Sequence, residues 1–158
     1  MARKDITMTQ EEIQDFLSGG STLQVATLGG DGAPHLAPMW FVVEQGKVVF
    51  RSFTKSQKIV NLTRDPRITV LHERGLAYSE LQGVMIRGTA TLIDDPAYVL
   101  EVYRRLAAKY PMVGEAPVEL DDAALEEAFG RFASKNTAVV VEPSRVITWD
   151  HTKLGGVY

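Results

Sequence analysis

The sequence predicts a mainly antiparallel β fold, a small barrel or closed sheet of about six strands with short helices between them. Two observations favour this fold class. Apolar runs of strand length are separated by turns rich in glycine, such as Gly29–Gly32 and Glu44–Gly46. The helical patterns are few and do not alternate regularly with the strands, as they would in a parallel α/β fold.

The size and composition of the chain indicate one globular domain over residues 1–158. Its 45% hydrophobic and 23% charged residues are ordinary for such a domain. The absence of cysteine excludes disulfides, thiol catalysis and iron–sulfur ligation, and it fits a reducing compartment. The net charge of −3 argues against a general nucleic-acid binder, which is usually basic.

The hydropathy pattern predicts no membrane insertion. The basic start at Arg3 and Lys4 has no apolar run behind it, so it does not have the form of a signal peptide. No stretch approaches the roughly 18 apolar residues of a transmembrane helix. We therefore expect a cytoplasmic protein.

The first expected element is a short helix. Thr9 and Glu12 form a capping-box pattern, in which each side chain accepts a hydrogen bond from the backbone N–H of the other residue. The glycines at 19–20 end this helix. A strand over residues 23–28 follows, and the turn Gly29–Gly32 is read as a hairpin turn because a phosphate loop would need a helix directly after it.

The middle of the chain supplies further strands and a second short helix. Strands are expected over residues 34–43 and 47–53. A helix begins after Ser56 and ends at Asp65, because the residue before a proline avoids the α region. Two more strands follow over residues 68–73 and 83–93.

The C-terminal part supplies two helices and the end of the sheet. The Asp-Pro pair at 95–96 is a favoured helix start. The apolar stripe of that helix consists of Val99, Val102, Tyr103, Leu106 and Tyr110. Asp121 or Asp122 caps the next helix. Residues 137–149 then form one or two strands around Pro143.

No motif in the sequence indicates a metal site or a hydrolase. The histidines His35, His72 and His151 are far apart and lack the i,i+4 spacing that places two ligands on one helix face. The G-x-S-x-G elbow of hydrolases is also missing. We therefore predict no metal and assign no catalytic residue.

The segment at 51–58, RSFTKSQK, is the best candidate for a ligand site. Arg51 lies in the apolar run of a strand, where an unpaired charge costs several kcal/mol. Ser56 and Lys58 lie where the strand gives way to a helix, whose N-terminal N–H groups attract anions. The same residues also fit a solvated basic turn with Ser56 as an ordinary N-cap, and charge alone leaves both interpretations open.

Two other groups have a structural and a ligand-binding interpretation. Arg87, in the apolar run at 84–89, suits an anionic ligand or a carboxylate at a subunit interface, and the carboxylate pairing is favoured. Pro38, Met39 and Trp40 are suited to packing against a flat ring. Taken alone, they are read as core.

Four segments, in this order, carry a resemblance to a known family. They are STLQVATLGGDGAPHLAPMWF (21–41), VVFRSFTKSQKIVNLTRDPRITV (48–70), GVMIRGTATLIDDP (83–96) and RVITWDHTKLGG (145–156). The most specific blocks are K-x-x-N-L-x-R-D-P-R and R-G-T-A. Together they resemble the pyridoxamine-phosphate-oxidase-like split-barrel superfamily. Within it the chain is most similar to an actinobacterial branch, the group B flavin/deazaflavin oxidoreductases, which uses coenzyme F420.

This resemblance implies a six- to seven-stranded antiparallel split β-barrel with flanking short helices, in an α+β fold that is mainly β. It implies F420 as the cofactor, with FMN as the alternative. The expected phosphate ligands are Arg51, Ser56 and Lys58. The residues expected along the ring system are Pro38, Met39 and Trp40. The backbone of Ser52, Phe53 and Thr54 is expected to contact the ring and the ribityl chain.

The resemblance also implies a homodimer with two sites at the subunit interface, and a reaction. The reaction is hydride transfer between the deazaflavin and a small unsaturated, quinone-like or tetrapyrrole-like molecule. The alternatives are an FMN-dependent enzyme similar to pyridoxamine-phosphate oxidase, and a non-catalytic carrier of a flavin, F420 or haem. Vitamin B6 oxidation is the weaker expectation, because the chain lacks the basic C-terminal segment that holds pyridoxal phosphate in the true oxidases.

Overall fold

A computed structural model describes residues 6–155, which form a seven-stranded antiparallel sheet and four α-helices. The strands are β1 (Leu23–Leu28), β2 (Pro34–Met39), β3 (Val42–Glu44), β4 (Lys47–Phe53), β5 (Arg67–Arg74), β6 (Gln82–Ile93) and β7 (Asn136–Asp150). The helices are α1 (Gln10–Ser18), α2 (Gln57–Arg64), α3 (Pro96–Lys109) and α4 (Asp122–Ala133). The basic start of the chain, which was not read as a signal peptide, lies outside the described residues, as does the last residue of the C-terminal segment at 145–156.

The sheet curls until its two edges approach each other. Its strand order is β2-β1-β5-β6-β7-β4-β3, so β2 and β3 lie at opposite ends of the sheet. Only Trp40 and Phe41 separate these two strands in the chain. The edges therefore meet at this corner, and the split-barrel fold expected from the sequence is confirmed.

The corner between β2 and β3 contradicts one element predicted from the sequence. The single strand expected over residues 34–43 is wrong, because the chain leaves the sheet at Trp40 and re-enters it at the other edge with Val42. Residues 34–39 pair with β1, whereas residues 42–44 pair with β4. An alternating apolar pattern cannot show that the pairing partner changes partway along it.

Two hydrophobic cores lie on the two faces of β4. Val48 and Phe50 point into the barrel, where they pack with residues such as Val25 and Val70. Val49 points to the other face, where α3 and α4 cover the sheet. Because side chains alternate along a strand, Arg51 lies on the helix-covered face and Ser52 on the barrel face. Because of this alternation, Arg51 and Ser52 belong to different parts of the candidate site.

The remaining elements are close to those predicted. The capping box of Thr9 and Glu12 is present in full, and Asp95 and Asp121 cap α3 and α4 through their side chains. The stripe predicted for α3 is buried. The C-terminal strand is one continuous element, in which Ser144 is the extra residue at a shift of register. Among the described helices, none is long and apolar enough to cross a bilayer.

Candidate functional site

Arg51 and Ser52 are neighbours in the chain but lie on opposite faces of β4. Arg51 pairs across the sheet with Ala138, which belongs to the core under α3 and α4. Ser52 pairs with Thr137 and is buried on the barrel side. The sequence grouped Arg51 with Ser56 and Lys58, but the structure places these residues in two separate groups.

The first group consists of Ser52, Ser56 and Lys58, which we call the hydroxyl–lysine cradle. The hydroxyl oxygens of Ser52 and Ser56 are 3.0 Å apart. The Lys58 Nζ donates a hydrogen bond of 3.2 Å to the Ser52 Oγ. Two hydroxyls and an ammonium group therefore lie within reach of one small anion.

The electrostatics of the cradle favour an anion. Burial lowers the pKa of the Lys58 ammonium group, and no carboxylate of the described chain forms an ion pair with it. Ser56 occupies the N-cap position of α2, but its side chain makes no capping hydrogen bond. The positive end of the helix therefore faces the same region as the ammonium group. The donors suit a phosphate.

The position of α2 is fixed by a polar contact with the barrel. Asn61 is fully buried, and its Nδ2 donates a hydrogen bond of 3.0 Å to the Thr27 Oγ1 on β1. Its Oδ1 accepts a hydrogen bond of 2.8 Å from the Gln57 side chain in the first turn of α2. These contacts fix α2 against β1 and tie its first turn to the buried Asn61.

Arg51 forms the second group, with Tyr103 and Asn136. Its Nη1 donates to the Asn136 Oδ1 over 3.3 Å, and its Cζ lies 4.4 Å from the centre of the Tyr103 ring. Its Nε is buried and has no hydrogen-bond partner. No carboxylate of the described residues pairs with this guanidinium group. The ion pair that its apolar strand required is therefore missing.

A cavity of about 340 Å³ lies beside Arg51. It is lined by Thr22, Pro38, Met39, Trp40, Arg51 and Leu106. This set brings together the end of β2, one face of β4 and helix α3. All three residues expected along a ring system line this cavity, whereas Ser52, Ser56 and Lys58 form the cradle on the other side of β4.

Trp40 is held by stacking. Its ring lies 4.6 Å from that of Tyr110, at an interplanar angle of 7°. The Tyr110 hydroxyl accepts a hydrogen bond from the Phe41 N–H over 3.2 Å, and it lies 2.8 Å from the Ser21 carbonyl oxygen. The side chain that ends α3 therefore fixes the corner between β2 and β3. Trp40 itself remains 42% exposed.

Phe53 and Thr54 do not line the cavity. Phe53 is 50% exposed. The Thr54 N–H donates to the Lys135 carbonyl over 2.9 Å, and the Thr54 hydroxyl lies 3.0 Å from that of Thr137. The Thr54 N–H is therefore already used within the protein.

Arg87 is exposed on the outer face of β6, since Val84 and Ile86 of the same strand point into the barrel. It pairs in register with Arg145, so two like charges are directly opposite each other. Within residues 6–155, no ion pair to Arg87 is formed. The carboxylate expected for Arg87 is not supplied by the described part of its own subunit.

Several residues of the site were not found from the sequence. They are Thr22, Tyr103, Leu106, Tyr110 and Asn136. Tyr103, Leu106 and Tyr110 were assigned to the core stripe of a helix, and nothing in a stripe shows that one side of it borders a cavity. The separation of Arg51 from Ser52 was foreseeable, since strand residues one apart point to opposite faces.

The chain is similar to proteins of known family and structure. The family model of pyridoxamine 5'-phosphate oxidase matches residues 9–150. The conserved hypothetical protein Rv2991 from Mycobacterium tuberculosis is 35% identical, with a TM-score of 0.89, and the match covers 100% of this chain and 94% of that one. No curated protein matches the sequence.

Two further solved structures share the fold at lower identity. An F420 reductase is 21% identical, with a TM-score of 0.64, over 85% of this chain and 94% of that one. The heme storage protein HutZ from Vibrio cholerae is 16% identical, with a TM-score of 0.65, over 88% of this chain and 93% of that one. At these identities the likeness shows the fold alone.

Proposed function

The chain belongs to the pyridoxamine 5'-phosphate oxidase family, and on this premise we propose that it is an F420-dependent oxidoreductase. Its substrate is a small unsaturated, quinone-like or tetrapyrrole-like molecule. The observation that carries the proposal is the hydroxyl–lysine cradle at the N-terminus of α2, which lies across β4 from the cavity that Trp40 lines. A phosphate anchor beside a partly aromatic cavity is what a phosphorylated flavin-type cofactor requires.

The cradle holds the phosphate of the cofactor. Lys58 supplies the positive charge, Ser52 and Ser56 supply hydroxyl donors, and the first turn of α2 supplies N–H groups. Burial lowers the pKa of Lys58, and binding of an anion raises it again, because a nearby negative charge favours the ammonium form.

The edge of β2 receives the ring system. Pro38, Met39 and Trp40 present an apolar and aromatic surface at the end of this strand. When bound, a reduced deazaflavin supplies a hydride, which an electron-poor double bond or a quinone accepts. The protein contributes orientation, by fixing the phosphate at one end and the ring face at the other.

The resemblance of the K-x-x-N-L-x-R-D-P-R and R-G-T-A blocks to the F420-using branch favours the deazaflavin over FMN. The cradle itself does not distinguish the two cofactors, because it recognises the phosphate group they share. An FMN-dependent enzyme and a non-catalytic carrier are therefore outcomes of the test below.

We place a second copy of the chain on the outer face of β1, β2 and β6, which we call the outer sheet face. Leu36 on this face is 66% exposed, and its register neighbour is Ala26. The same face carries the opposed Arg87 and Arg145, which a carboxylate from a partner subunit would neutralise. A homodimer through this face accounts for both features.

The test is a titration of the purified protein with F420, FMN and pyridoxal phosphate, followed by fluorescence. We expect F420 to bind most tightly, and reduced F420 to be oxidised by a member of a panel of enones, quinones and biliverdin. Tight FMN binding with no response to F420 would contradict the deazaflavin assignment. Binding of F420 without oxidation by any acceptor would support a carrier.

A further inference from the structure

We propose that Arg51 binds the carboxylate of the substrate, which is a planar unsaturated acid, in the same cavity whose Trp40 side receives the cofactor ring. This inference rests on the proposed function in that it names the substrate class of the same site. It assigns Arg51 to the substrate, whereas the family resemblance assigned it to the cofactor phosphate.

The first argument is the unfinished pairing of Arg51. A guanidinium group has five N–H donors, and only one hydrogen bond, to Asn136, is formed by the described residues. The Nε is buried without a partner. A buried donor left unsatisfied destabilises the protein, and the cost is larger when the group is charged. A carboxylate in the cavity would remove this cost.

The second argument is that Arg51 is held in place without being neutralised. The Tyr103 ring packs against its guanidinium group at 4.4 Å, and Asn136 accepts from Nη1 at 3.3 Å. Both contacts restrict the side chain and leave its charge in place. A positioned arginine is suited to bidentate recognition of a carboxylate.

The third argument is the shape of the cavity. Its volume of about 340 Å³ lies at the lower end for small-molecule sites, so it suits a compact ligand. Trp40 is stacked on Tyr110, and it lines the same cavity as Arg51. A substrate whose carboxylate meets the guanidinium group would lie within this cavity, close enough to Trp40 to change the environment of its indole.

The fourth argument is the separation of the two cationic groups. Arg51 faces α3, whereas Lys58 and Ser52 lie on the barrel side of β4. A small phosphate in the cradle is therefore separated from Arg51 by the strand. Arg51 is left for a second anionic group, which belongs to the substrate.

The test measures the binding of cinnamate and of its neutral analogue, methyl cinnamate. The chain has two tryptophans, Trp40 and Trp149. In the Trp149→Phe protein, Trp40 is the one that remains. Binding is then followed by NMR through the indole N–H resonance of Trp40. We expect cinnamate to bind roughly tenfold more tightly than the ester, as one charge-assisted pair provides. Arg51→Gln should abolish this preference and leave the ester unaffected.

Two controls separate this inference from the proposed function. Arg51→Lys retains the charge and should restore part of the preference for cinnamate. Lys58→Ala should leave cinnamate binding unchanged and weaken the binding of F420. If Lys58→Ala leaves F420 affinity unchanged while the Arg51 results hold, the cofactor anchor is wrong and the subsite stands.

Two results would overturn the subsite. One is equal affinity for the acid and the ester in the protein with Arg51. The other is a loss of F420 affinity in Arg51→Gln as large as that in Lys58→Ala, which would return Arg51 to the cofactor phosphate.

Discussion

At the scale of single residues, Lys109 is a half-buried cation that the proposed chemistry does not use. Its Nζ donates to the Phe41 carbonyl over 3.0 Å and lies 4.0 Å from the centre of the Phe41 ring. Burial lowers its pKa from 10.5 to about 8. The folded protein therefore binds this proton less tightly than the unfolded chain does.

The pH dependence of stability follows from that shift. Below pH 8 the charged Lys109 destabilises the fold, and the penalty is relieved as pH rises from about 8 toward 10.5. Relative to Lys109→Met, the wild-type free energy of unfolding should rise across this window, at less than about 1.4 kcal/mol per pH unit. Urea unfolding at several pH values measures it, and a constant difference between the two proteins would show that Lys109 has an ordinary pKa.

Residue-scale prediction from the sequence succeeded for residue types and failed for their grouping. Ser56 and Lys58 lie together, as their spacing around a helix start indicated. Arg51 was joined to them because it is near in sequence, although strand alternation places it on the other face. Its contacts with Tyr103 and Asn136 come from elements 52 and 85 positions away, which no local pattern reveals.

At the scale of elements, the corner between β2 and β3 depends on the end of α3. The Tyr110 hydroxyl lies within hydrogen-bonding distance of four backbone groups, which are the carbonyls of Gly20, Ser21 and Phe41 and the Phe41 N–H. Since Phe41 is fully buried, water cannot easily replace this partner. One side chain therefore joins α3 to both edges of the split.

Tyr110→Phe should destabilise the protein by about 1–3 kcal/mol, because it leaves buried backbone groups unsatisfied while retaining the ring that stacks on Trp40. The matched control is Tyr98→Phe. The Tyr98 hydroxyl donates to Glu44, a carboxylate that also pairs with Arg105, so its loss should cost less. Denaturant unfolding compares the stabilities of the two variants. An equal loss of stability in both would show that the Tyr110 hydroxyl contributes no more than the Tyr98 hydroxyl.

The sequence predicted elements best where the signal is local. Helix starts at Thr9 and Asp95 follow from capping chemistry within a few residues. The break at Trp40 was missed because it depends on which strands pair, and pairing is decided by residues far apart in the chain. The extra residue Ser144 in β7 was missed for the same reason, because it is defined by the pairing of β7 with β6.

At the scale of the whole molecule, the proposed dimer makes the outer sheet face an interface. Leu36→Glu places a charge on that face and should convert a dimer into a monomer, since a buried unpaired charge costs several kcal/mol. Leu76→Glu is the control, because Leu76 is 96% exposed in the loop between β5 and β6 and belongs to neither face of the sheet. Analytical ultracentrifugation distinguishes the species. A monomeric wild type, or a Leu36→Glu protein that remains dimeric, would contradict this interface.

The fold, the family and the cradle together support one claim, which is that the N-terminus of α2 binds the phosphate of a flavin-type cofactor. Lys58→Ala tests it, with Lys55→Ala as the matched control, since Lys55 is an exposed lysine of the same segment. The measurement is the dissociation constant for F420 of both variants and of the wild type. Lys58→Ala should bind roughly tenfold or more weakly, as expected for the loss of a charge-assisted contact, while Lys55→Ala should bind like the wild type. An unchanged dissociation constant in Lys58→Ala, or an equal loss in both variants, would contradict the claim.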